Sequence, residues 1–148
     1  GLGSNFTLSI SMTTNIITAV LVSEAQRMDT ADKFFGIRYP LTVEPMVYQF
    51  ATQLAPAYNG GYWNFYQLSN GGFFMAPKLD ESFEVIADNG FKGSMSAEAL
   101  GVTACLYAYS NLSFGEGRFG ETCADHYHWL RAFAMGHAEA RGILAAID

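Results

Sequence analysis

The sequence is short of positive charge, and that shortage removes one broad class of function. Eight Lys and Arg stand against fourteen Asp and Glu over 148 residues, for a formal net charge of −6. A non-specific grip on nucleic acid comes from Lys and Arg displacing counterions at phosphates, so tight nucleic-acid binding is not expected. Long apolar runs are missing too: no stretch of eighteen apolar residues occurs, and no membrane-spanning helix is expected. Cysteine is scarce. Cys105 and Cys123 allow at most one disulfide, and both fall in segments of helical pattern. They read as reduced, buried small residues of a cytoplasmic protein. What remains is 50% hydrophobic, 15% aromatic and 15% charged, a globular composition outside the disordered class. A chain of this length buries roughly 70% of its unfolded surface.

Aromatics and glycines concentrate in residues 60–77, GGYWNFYQLSNGGFFMAP. Two apolar runs flank Asn70-Gly71, a strong short-range hairpin signal, because a type I′ turn needs positive φ at both central residues. A two-residue Asn70-Gly71 loop sets Leu68 opposite Phe73, Gln67 opposite Phe74, Tyr66 opposite Met75 and Phe65 opposite Ala76. Alternation then places Tyr62, Asn64, Tyr66, Leu68, Phe73 and Met75 on one face and Trp63, Phe65, Gln67, Phe74 and Ala76 on the other. Both faces are apolar enough to require cover.

The rest of the chain arranges itself around this hairpin. Residues 1–11 read as an expression leader ahead of a single domain over 12–148. Residues 15–22 are β-branched and apolar, as in a strand or a partly buried arm. Asp29 to Phe35 suggests helix stopped by Gly36. A helix follows, capped by Thr42 or Glu44 with Pro45 in its first turn and ended by Pro56. Residues 82–87 and 91–95 flank a second Asn-Gly pair at Asn89-Gly90. Ser96 with Glu98 opens a long helix to about Asn111. A glycine-containing loop, a helix over 121–135 and a last helix over 137–147 complete the chain. The expected fold is α+β: one domain, an antiparallel β-meander of about four strands packed with three to five helices.

Few residues group in a way that suggests chemistry. Cys123, His126 and His128, with His137 beyond, are the best metal or thiol candidates, yet on a helix His126 and His128 point about 200° apart. Cys123 or Ser113 with a histidine lacks any elbow or oxyanion motif. No catalytic or metal-binding residue is assigned, and no cofactor. A small metal-dependent or thiol hydrolase using Cys123, His126 and His128 stands as the alternative. Asp80, Glu81, Glu84 and Asp88 form one short acidic cluster, and Glu116, Glu121 and Asp125 a looser one. A DNA mimic needs a charge every ~1.7 Å, far denser than either.

Residues 60–77, together with Asn89-Gly90-Phe91, Met95-Ser96-Ala97-Glu98-Ala99 with Gly101, Asp125-His126-Tyr127 with Leu130-Arg131, and Ala146-Ile147-Asp148, resemble the ArdB/KlcA antirestriction proteins. The resemblance covers residues 17–148. It implies an α+β protein of plasmids or other mobile elements that relieves host type I restriction–modification, neither an enzyme nor a DNA mimic. The implied partner is that system or a component acting with it, in the cytoplasm. The signature hairpin supplies the binding candidates: Tyr62, Trp63, Asn64, Tyr66 and Asn70.

Overall fold

A computed structural model describes residues 16–148; the leader assigned to residues 1–11 lies outside them. The elements are β1 (Ala19–Leu21), α1 (Arg27–Phe35), α2 (Glu44–Leu54), β2 (Trp63–Leu68), β3 (Phe73–Pro77), β4 (Ser82–Ile86), β5 (Lys92–Ser96), α3 (Ala97–Ser113), α4 (Gly117–Met135) and α5 (Ala140–Ile147). The α+β class and the helix count agree with the sequence reading. The four serial strands do not form one meander. β1, β2 and β3 make one antiparallel sheet in that order, and β4 with β5 makes a second.

Both hairpins close through three-residue loops, not two. In the first, the Leu68 N–H donates to Gly72 O at 2.9 Å and the Gly71 N–H donates to Leu68 O at 3.1 Å. Only Gly71 takes positive φ, at 102°. This is a type I turn followed by a bulged glycine, the other common hairpin closure. The second loop repeats it, with Ala87 N–H to Phe91 O at 2.9 Å and Gly90 at φ 94°. The extra residue shifts the expected register by one: Gln67 pairs with Phe73, Tyr66 with Phe74 and Phe65 with Met75. The β3 side chains therefore exchange faces relative to expectation. Phe74 stacks on Tyr66 at 4.6 Å, and Phe73 meets Phe65 edge-on at 5.3 Å.

The asparagine of each loop accounts for the longer closure. Asn70 Oδ1 accepts from the Gly72 N–H at 3.1 Å while its Nδ2 donates to Trp129 O of α4 at 2.9 Å. Asn89 does the same, accepting from the Phe91 N–H at 3.0 Å and donating to Ala145 O of α5 at 2.8 Å. Each loop shapes itself and fastens to a C-terminal helix.

α3 is the central element. Residues on every side of it are buried, which marks a core helix. Ser96 caps it as expected: Oγ accepts from the Ala99 N–H at 3.1 Å. Glu139, from the turn before α5, accepts from the Ser96 N–H at 2.9 Å and from Oγ at 2.5 Å. The stripe Gly101, Cys105 and Tyr109, four residues apart, lies along the outer edge of β3. Tyr109 OH donates to Phe73 O at 2.7 Å and Cys105 Sγ to Met75 O at 3.6 Å. These two carbonyls face away from β2, so the helix satisfies an edge that would otherwise be open. Gly101 sits where a Cβ would overlap Ala76. Cysteine is used here as a small buried residue, and both cysteines are free.

Helix boundaries differ from expectation at three places, one being the last helix, which starts at Ala140 and not at residue 137. Neither Thr42 nor Glu44 caps α2, because the chain enters it through a π-helical turn, Tyr39–Val43, and Val43 is already helical. No open helix end remains there to cap. Glu44 accepts instead from Tyr39 OH at 3.0 Å. α4 begins at Gly117, four residues before the expected start. Its Gly120 lies against Gly115 O in the preceding turn.

Candidate functional site

The signature residues divide into anchors and surface. Trp63 is 1% exposed, so it is not itself a contact residue. Its Nε1 donates to Tyr58 OH at 2.6 Å, and its ring meets Tyr48 edge-on at 5.2 Å and Tyr58 at 5.8 Å. Asn70 is committed to the loop and to α4. Tyr66 and Asn64 are half-buried on one face of β2; Asn64 Nδ2 approaches Tyr66 OH at 3.4 Å. Behind them Tyr66, Phe74 and Phe133 form a continuous stack, with 5.5 Å between the last two rings. Of the five candidates Tyr62 is the most open, at 48% exposed.

Tyr62 stands beside a cleft of about 470 Å³ lined by Tyr48, Thr52, Tyr58, Asn59, Gly60 and Gly61. Its floor is a physical consequence of the sequence. Gly60 and Gly61 take φ 102° and 129°, a region that side chains disfavour. They turn the chain sharply from α2 into β2 and leave the cleft open. Tyr48 reaches it from α2, and the buried Trp63 holds Tyr48 and Tyr58 in place. Arg27, the first residue of α1, places its guanidinium 4.7 Å from the Tyr62 ring centroid and 3.9 Å from that of Phe65. Its Nη1 donates to Trp63 O at 2.5 Å.

The electrostatics favour recognition over proton transfer. Burial, reinforced by the Glu44 carboxylate, pushes the Tyr48 hydroxyl up to about 12, so it stays a donor at neutral pH. Tyr58 OH accepts from Trp63 Nε1, an arrangement that leaves a phenolic O–H able to donate as well. The cleft offers rings, hydroxyls and a carboxamide. Sequence reasoning stopped at Tyr62 and missed Tyr48, Tyr58, Asn59 and Arg27. The Gly60-Gly61 pair was the available signal, since adjacent glycines before a strand mark a place where backbone gives way to space.

The hydrolase candidates do not converge on one site: Cys123 and His126 share the buried face of α4, and His128 lies off it. Cys123 is buried, and burial pushes its thiol up to about 11 against the lowering effect of Arg38. Such a thiol is not a nucleophile at neutral pH. His126 is 2% exposed, surrounded by Phe34 at 5.2 Å, Phe35 at 4.6 Å, Tyr109 at 5.7 Å and Trp129 at 5.1 Å. Its Nδ1 has no hydrogen-bond partner among the described residues, and burial lowers its pKa to about 4. His128 is exposed. His137 bonds Glu98 Oε2 through Nε2 at 2.6 Å. Among the described residues no three His, Cys, Asp or Glu side chains gather as a metal site, and no helix is long and apolar enough to cross a membrane.

Comparison with known proteins gives consistent matches. The family profile described as "Antirestriction protein" matches residues 56–148. An antirestriction protein KlcA of Escherichia coli is 44% identical over 135 residues, covering 89% of this chain and 95% of that protein. A second E. coli KlcA is 42% identical over 137 residues, covering 89% and 94%. A solved structure superposes with a TM-score of 0.83 at 44% identity, over 89% of this chain and 95% of that one. It comes from work on KlcA and ArdB describing a novel fold and antirestriction activity against type I DNA restriction systems in vivo but not in vitro.

Proposed function

This chain belongs to the ArdB/KlcA family of antirestriction proteins, and from that premise we propose that it relieves host type I restriction–modification in the cytoplasm as a binding protein. It acts neither as a catalyst nor as a DNA mimic, and its contact is with the restriction system or a component working with it. The observation that carries this reading is the identity shared with KlcA along the chain, combined with a signature cleft that offers rings and hydroxyls but no acid–base pair. A relative active in vivo but not in vitro also fits a protein that needs a cellular component beyond the purified restriction enzyme.

Charge supports the non-mimic reading. Asp80, Glu81, Glu84 and Asp88 lie along β4 and its flanks, and nine residues extended span at most roughly 30 Å. That is less than one turn of duplex with four charges, where DNA carries one per ~1.7 Å of axis. The eight basic residues give no phosphate-binding track either. Expressed in a host with an active type I system, the protein should raise the plating efficiency of unmodified phage. No change in plating across several type I systems would refute the assignment. Restriction relief lost on neutralising the four acidic residues would restore mimicry.

A further inference from the structure

Asn-Gly occurs three times in the sequence, at residues 59–60, 70–71 and 89–90. The pair is chemically fragile as well as turn-forming. The glycine nitrogen, with no neighbouring Cβ to screen it, can attack the amide carbon of the asparagine side chain. Asparagine counts among the thermolabile residues. Such a closure needs a glycine N–H that is not already bonded, an amide not tied by its own hydrogen bonds, and room around both.

Two of the three pairs are locked. The Gly71 N–H donates to Leu68 O at 3.1 Å and the Gly90 N–H to Ala87 O at 3.0 Å. Both ends of the Asn70 amide are held, Oδ1 by the Gly72 N–H and Nδ2 by Trp129 O. Asn89 is held in the same way, by the Phe91 N–H and Ala145 O. Closure in either loop would break all three bonds and detach the loop from its C-terminal helix. Asn59-Gly60 lies open. Around the cleft the hydrogen bonds are Thr52 Oγ1 to Tyr48 O and Trp63 Nε1 to Tyr58 OH. Among the described residues, neither the Gly60 N–H nor the Asn59 amide has a partner. Both residues are exposed, and nothing lies within 4 Å of where a Cβ on Gly60 would stand.

We propose that Asn59 is a site of spontaneous deamidation, with water as the co-reactant. The Gly60 nitrogen gives its proton to solvent base and attacks Asn59 Cγ. The new N–C bond forms as the Cγ–Nδ2 bond breaks, and the amide nitrogen leaves as ammonia. Water then opens the five-membered succinimide. Attack at Cγ gives aspartate; attack at the backbone carbonyl carbon gives isoaspartate. The sum is one water in and one ammonia out, with no change of oxidation state. Either product sets a carboxylate among cleft residues that are all uncharged, and adds one negative charge to a formal net of −6. Isoaspartate also inserts a methylene into the backbone just before the Gly60-Gly61 turn. The cleft is neutral as synthesised and becomes anionic with age. This inference is independent of the antirestriction reading.

The full chain, held folded in warm, mildly alkaline buffer and sampled over days, gives the test. Peptide mapping by mass spectrometry, with fragmentation that separates isoaspartate from aspartate, reads each asparagine. A parallel sample unfolded in urea shows what the local sequence does alone. In the folded chain Asn59 should react at least tenfold faster than Asn70 or Asn89, with isoaspartate among its products. In urea the three rates should converge. Asn59→Gln, whose closure would need a six-membered ring, should lack the early acidic species seen for wild type on anion exchange. Asn59 intact while the other two react would overturn the proposal, as would equal rates at all three in the folded chain. Aspartate at position 59 with no isoaspartate would show direct hydrolysis without the Gly60 nitrogen, and would overturn it too.

Discussion

Gly101→Ala separates local propensity from packing, because the two predict opposite signs. In an isolated helix Ala is favoured over Gly by about 1 kcal/mol, so propensity alone predicts a more stable protein. In the fold, a Cβ at residue 101 would lie 2.5 Å from both Ala76 Cα and Met75 O, and closer still to Ala76 Cβ. Two of those atoms are backbone and cannot rotate aside. Relief requires α3 to move off β3, at an overpacking cost of about 1–3 kcal/mol. That movement also stretches the Tyr109–Phe73 and Cys105–Met75 bonds, together worth about 1–2 kcal/mol. The net loss is about 1–4 kcal/mol after the propensity gain, a large part of a total that is commonly 5–15 kcal/mol. At roughly 4 °C per kcal/mol for a domain of this size, the melting temperature should fall by about 4–16 °C. Thermal unfolding followed by circular dichroism at 222 nm measures it. An unchanged or raised melting temperature would refute the close approach of α3 to β3.

His126 gives a pH prediction. Its folded pKa of about 4 lies below the ordinary 6.5, so the unfolded chain binds the proton more readily. Its contribution is intact above pH ~6.5 and is lost as pH falls toward 4, by up to about 3 kcal/mol. Denaturant titrations should show His126→Leu with a flatter stability profile than wild type between pH 6.5 and 4; His137, present in both, cancels from the comparison. Asn70→Ala and Asn89→Ala should each lose about 1–2 kcal/mol through two broken hydrogen bonds, read as a lower urea midpoint. Gly71→Val forces a β-branched residue to a φ near 102°, and should cost about 1–3 kcal/mol by the same measurement.

The sequence located both hairpins, the Ser96 cap and the single α+β core. It misjudged the first hairpin's register because Asn-Gly serves two closures equally well. What selects the three-residue loop is the reach of Asn70 to Trp129 O, fifty-nine positions away, which no local pattern encodes. The split between the sheets was hidden for a similar reason. β3 ends at Pro77 with its outer carbonyls already taken by α3, so β4 has no free edge to join. Trp63 was a reasonable site candidate by residue type, yet burial makes it the support of the cleft. Tyr48 and Tyr58 escaped notice because they reach the cleft from outside the signature run. Their part depends on Trp63, through an indole–hydroxyl bond at 2.6 Å and an edge-on ring contact at 5.2 Å.

The central claim is that the signature builds a recognition surface for restriction relief. Plating efficiency of unmodified phage, compared between hosts with and without an active type I system, tests it most directly when wild type is set beside Asn59→Ala/Tyr62→Ala. Asn59 lines the cleft, Tyr62 follows its Gly60-Gly61 wall in the chain, and both lie outside the buried core, so the variant should fold with an unchanged melting temperature. The account predicts that wild type raises plating only in the restricting host and that the folded double variant loses at least tenfold of that protection. Full protection by the variant, or none by wild type, would contradict it.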